Sequence, residues 1–105
     1  MQQFDLYLNT DKDSSKTYPY FVDIQNNLLD SLNSRVVIPL TAVGQTEKSY
    51  PDNLCPVVEI NQQRFALLTH QLTSVSLGFL QKKAGSLALN RNDIIAAIDF
   101  LVTGI

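Results

Sequence analysis

At 105 residues and a formal net charge of −2, the chain has room for a single domain, residues 1–105, around one core, and no global electrostatic pull toward nucleic acid or an anionic membrane. Hydrophobic residues make up 45% and charged residues 17%, too apolar for a disordered segment, while no apolar run reaches the length of a membrane-spanning helix. The opening MQQFDLYLNTDKD has neither the basic nor the apolar stretch of a signal peptide, which points to a cytoplasmic protein, and a lone cysteine, Cys55, excludes an internal disulfide.

In chain order, Phe4, Leu6 and Leu8 alternate with Asp5 and Tyr7, the pattern of a strand with one buried and one wetter face. Residues 9–17 (NTDKDSSKT) are wholly polar and read as a mobile loop or a long hairpin connection. Tyr18, Tyr20, Phe21, Val22 and Ile24 resume strand character, with Pro19 making that end an edge or an entry and Asp23 and Gln25 breaking the apolar run. Residues 26–34 (NNLLDSLNS) are loop-like yet carry Leu28, Leu29 and Leu32, which either tuck under the loop or await a partner.

Residues 35–43 (RVVIPLTAV) are the strongest β segment, and Pro39 within them implies a bulge or an unpaired edge position. After a turn region at 44–53, the segments 54–60 and 64–69 flank Asn61, Gln62 and Gln63 and form a hairpin with a three-residue connection. In 73–80 (TSVSLGFL) Val75, Leu77 and Phe79 share one face of a further strand, and 81–89 reads as a polar connection.

Residues 91–105 (RNDIIAAIDFLVTGI) carry the one strong helical pattern. Ile94, Ile98, Leu101 and Ile105 recur at spacings of 4, 3 and 4, widened by Ile95 and Val102, against a thin stripe of Asn92, Ala96, Asp99 and Thr103. Asn90 or Asn92 is placed to cap the start, Asp93 puts negative charge at the positive end of the dipole, and Gly104 ends the helix. One sheet face can hardly cover so broad an apolar surface, and residues 104–105 are either a frayed end or a docking tip. Short strands followed by one helix make an α+β domain with a mainly antiparallel sheet that curls toward a small barrel.

Chemistry is sparse. His70 stands without a second His or Cys at ligand spacing, so neither a metal nor another cofactor is expected. There is no phosphate-cradling glycine loop and no serine elbow. Arg35, Arg64 and Arg91 are isolated in sequence, Asp23, Asp30 and Asp99 form no dyad, and Cys55 in LCPVV reads as a small buried hydrophobe.

The segments YFVDIQ (20–25), LLD (28–30), RVVIPL (35–40), PVVEI (56–60), TSV (73–75), NDIIAAI (92–98) and the closing Gly104 and Ile105 resemble, in order and spacing, the CcdB toxin family of bacterial toxin–antitoxin pairs. The resemblance implies an SH3-like barrel with a C-terminal helix. It also implies a homodimer that performs no reaction, poisons DNA gyrase by entering the gyrase A dimer and trapping the cleaved-DNA complex, and is neutralised by a CcdA-like antitoxin. Carried over by resemblance, Val102, Thr103, Gly104 and Ile105 contact gyrase, and Leu28, Leu29, Asp99, Val102 and Thr103 contact antitoxin. Members of the family can carry a tryptophan before the closing Gly-Ile; here the position is Thr103, which leaves Val102 and Ile105 as the apolar groups of the tip. The rival from another class is an endoribonuclease toxin of the Kid or MazF type, families similar to CcdB in fold, which would recruit His70, Arg35, Arg64 and Asp30.

Overall fold

Alternating apolar residues pair across neighbouring strands to build a curled antiparallel sheet, in a computed structural model that describes residues 2–29, 31–44 and 50–104. Its strands are β1 (Asp5–Leu8), β2 (Tyr20–Asp23), β3 (Ser34–Ala42), β4 (Val57–Ile60), β5 (Gln63–Leu67), β6 (Thr73–Ser76) and β7 (Lys83–Ser86), followed by the helix α1 (Arg91–Thr103). The strands run in the order β4-β5-β3-β2-β1-β7, with β6 pairing β3 off that path. This is an α+β half-barrel of short strands with a C-terminal helix, consistent with a small SH3-like barrel.

The register explains the core. Leu6 lies opposite Val22, and Val22 opposite Ile38, so one face presents a continuous apolar row. Phe65, Leu67, Leu87 and the helix residue Ile94 close over that row. Because side chains alternate faces, Tyr7 and Val37 point to the other side, where Leu80, Phe21 and Val75 cover them. The wetter face expected for Asp5 and Tyr7 is therefore buried as well. A strand pattern that mixes polar and apolar residues does not reveal that both faces of a curled sheet are covered.

Pro39 sits inside the longest strand rather than at a bulge or a free edge. The bond from Ile24 N to Val36 O fixes which residues of β3 face β2, and antiparallel alternation turns Pro39 N to the opposite side. There β3 changes partner, from β6 along residues 34–37 to β5 along 40–42, so no donor is missed. The Pro39 carbonyl accepts from Leu68 N at 2.9 Å.

Three other segments depart from expectation. The β4–β5 connection is the two-residue turn Asn61–Gln62, with φ of 51° and 68°, because Gln63 already pairs with Ile60. The strand expected through Phe79 ends at Ser76, and Leu77–Phe79 forms a 3-10 turn that leaves Leu77 and Phe79 exposed. Within the polar connection 81–89, β7 pairs with β1; its sequence KAGS is paired by backbone bonds that its side chains do not advertise. Residues 9–17 are folded by their own polar groups. Asp11 N donates to Asn9 Oδ1 at 2.9 Å, and Ser14 Oγ donates to Asp11 Oδ2 at 2.7 Å, a bond that holds the Asp11 carboxyl below its ordinary value.

Candidate docking site at the helix tip and the leucine turn

α1 packs by its first half. Ile94 and Ala97 are buried and Ile95 and Ile98 partly so, but Leu101 is 40% and Val102 74% exposed. The buried stripe thus runs through Ala97, and the expected continuation through Leu101 does not reach the core. Ile105 lies outside the described residues. No side-chain cap forms at the helix start; Asn90 has φ −99° and ψ 13°. Its backbone N–H instead bonds Leu87 O at the end of the preceding 3-10 turn Ala88–Asn90.

The tip ends as expected of glycine. Gly104 has φ 75°, and its N–H closes on Phe100 O at 2.9 Å. A Cβ built there meets nothing within 4 Å, so the position is open on its outer side. Thr103 Oγ1 donates to Asp99 O at 2.6 Å, satisfying the hydroxyl within the helix. The side chains of Asp99, Val102 and Thr103 are exposed together on this last turn.

Leu28 and Leu29 lie on the 3-10 turn Asn27–Leu29, where Leu28 is 88% exposed. The turn is held from beneath by a buried ion pair. Arg35, 1% exposed, binds Asp23 Oδ2 through Nε at 2.9 Å and Nη2 at 2.8 Å, and Nη2 also donates to Gln25 O at 3.2 Å. Gln25 carries the tie outward: its Oε1 accepts from Val36 N at 3.1 Å and its Nε2 donates to Leu29 O at 3.1 Å. From the other side Gln3 N donates to Asn27 Oδ1 at 2.8 Å. The exposed leucines therefore stand on a rigid polar base.

Burial pushes the Asp23 carboxyl up against the opposing pull of the Arg35 hydrogen bond. The Tyr7 phenol is likewise pushed up, by burial first and then by the Asp5 and Asp23 charges. In the sequence Arg35 stands isolated and Asp23 interrupts an apolar run. The signal that would have joined them is parity: Asp23 shares a strand face with Phe21, and Arg35 with Val37, on neighbouring strands.

Of the residues that a ribonuclease would recruit, Arg64 and His70 come near one another, since Arg64 lines a hollow with Tyr50 and Cys55 and His70 touches both of those, but Arg35 does not join them. Arg35 is buried in its ion pair and unavailable to a phosphate, and Arg64 is exposed on β5. His70 is exposed in the 3-10 turn Thr69–Gln71, its Nδ1 lying 3.6 Å from Cys55 Sγ. Asp30 lies outside the described residues. Cys55 is buried, as expected, and burial pushes its thiol up, away from a reactive thiolate. Among the described residues no group of three or more His, Cys, Asp or Glu could hold a metal ion, and no helix is long and apolar enough to cross a membrane.

The sequence matches the family model described as CcdB protein over residues 3–104. The chain belongs to the CcdB family. It is a toxin of the toxin–antitoxin class, from a family of gyrase poisons rather than of catalysts. The match spans both the leucine turn and all but the last residue of the CcdB tip, so the two exposed patches lie within the family's shared framework.

Proposed function

We propose that this CcdB-family chain acts in the cytoplasm as a homodimer that binds the DNA gyrase A subunit through Val102, Thr103, Gly104 and Ile105 and traps the gyrase–cleaved DNA complex. A CcdA-like antitoxin neutralises it by covering Leu28, Leu29, Asp99, Val102 and Thr103. The supporting observation is the last turn of α1, which holds Leu101 and Val102 out of the core on a helix otherwise anchored by Ile94 and Ala97. Exposed apolar groups on a rigid element, ended by a glycine that permits close backbone approach, suit docking and not catalysis.

The main neighbours of α1 are the Thr69–Gln71 and Ala88–Asn90 turns, and the Asn27–Leu29 turn is not among them. The deciding experiment is inhibition of purified gyrase supercoiling, with cleaved DNA scored after denaturation. Accumulation of cleaved DNA is expected, and His70→Ala should leave it unchanged. Unimpaired supercoiling, or RNA cleavage by the purified protein, would sink the proposal.

A further inference from the structure

A hollow of about 450 Å³ opens between the outer face of α1 and the segment leading into β4, lined by none of the residues assigned to the leucine turn or the tip. Pro56, Val57, Ala96 and Phe100 give it apolar walls, and Asp52 and Asp93 bring carboxylates to it. Among the described residues neither carboxylate has a hydrogen bond or an ion pair, and none of the lining residues is cationic. Arg64 lines an adjoining hollow of about 190 Å³ that shares Asp52 and Val57. Arg64 stands opposite Glu59 in the β4–β5 register, so it does not reverse the sign of the region.

The hollow borders an open strand edge. β4 is the terminal strand of the sheet order among the described residues. The pairing of Ile60 with Gln63 across a two-residue turn, and the bond from Leu67 N to Pro56 O, fix residues 56, 58 and 60 as those bonded to β5. Antiparallel alternation then leaves the N–H and C=O of Val57 and Glu59 facing outward, a template for one more strand.

We propose that the β4 edge and this hollow together bind an extended, arginine-bearing segment of a partner protein. The segment's backbone pairs with Val57 and Glu59, and its guanidinium enters the hollow between Asp52 and Asp93, over Phe100. Arginine fits better than lysine because its planar, weakly hydrated head stacks on an aromatic face while donating to carboxylates on both sides. Ala96 matters by being small: it keeps the floor of the hollow low enough for the side chain to lie flat.

The test is an NMR titration of the ¹⁵N-labelled full chain with the capped peptide Ac-Thr-Val-Arg-Val-Thr-NH2 and with its citrulline counterpart, which keeps the shape and removes the charge. Saturable shifts are expected at residues 57–60 and at Asp93, Ala96 and Phe100, with at least tenfold weaker binding for the citrulline peptide. Asp52→Asn and Asp93→Asn should each weaken the arginine peptide several-fold, and Ala96→Leu should abolish binding. All three sites are exposed, so thermal melts should show folded variants. Absence of saturable shifts, or equal binding of the two peptides, would overturn the proposal. So would shifts at the same residues on raising protein concentration without peptide, since these would put a second copy of the chain in the hollow.

Discussion

Two residues carry the cost of the fold in opposite ways. Gln62 holds φ 68° in the β4–β5 turn, a conformation that glycine reaches freely and a side chain does not. Gln62→Gly creates the Asn-Gly pair that such turns favour and should stabilise the chain by about 0.5–1 kcal/mol, read as a rise of roughly 2–5 °C in a thermal melt. Arg35 is the opposite case, since removing it leaves Asp23 buried without its counter-charge. Arg35→Met should cost about 3–5 kcal/mol at neutral pH. Folded Asp23 titrates above the unfolded carboxylate, so its contribution to stability is complete below the ordinary range near about pH 4 and is lost as pH rises through the raised value. Loss of Arg35 raises that value further. The penalty should therefore shrink when urea melts are repeated at about pH 4.5, and a penalty that grows on acidification would contradict the sign.

At the scale of elements, α1 divides into an anchored half and a projecting half, and the division sets a mutational contrast. Deleting residues 103–105 removes the capping bond from Gly104 N and no buried side chain among the described residues, so the loss of stability should be about 1 kcal/mol or less. Gly104→Glu adds strain at φ 75° and a charge in open space, with a comparably small cost to the fold. Both variants should lose growth inhibition and gyrase capture, while antitoxin binding, which retains Leu28, Leu29 and Asp99, should weaken less. A folded truncation that still captured gyrase and still killed would place the poisoning surface elsewhere. The helix and its glycine stop were legible in the sequence because periodicity and capping act locally. The bounds of β3 were legible too, from its β-branched run. β7 was not, since KAGS has no apolar alternation and is a strand only because β1 offers it a ladder. The Asp23–Arg35 pair was hidden for a related reason: its two halves are separated by the leucine turn and meet only once β2 and β3 are in register.

At the scale of the whole molecule, the exposed apolar groups outnumber what the sheet and helix can hide. Leu89 is fully exposed, and Leu72, Leu77, Phe79 and Leu101 each keep more than a third of their surface in water. With charged residues at only 17%, such a surface is short of the polar cover that keeps a small domain monomeric. A two-fold dimer hides apolar area at no cost in new sequence, because one patch serves both copies. Under the proposed docking it would also offer a gyrase A dimer two helix tips related by a two-fold axis. Multi-angle light scattering at micromolar concentration should therefore return twice the chain mass of 11.7 kDa, with little change in moderate salt because apolar burial is not screened. Dilution should lower the melting temperature together with the mass, as linkage between assembly and folding requires. A mass of one chain, independent of concentration, would remove the symmetric docking mode and leave each tip to act alone.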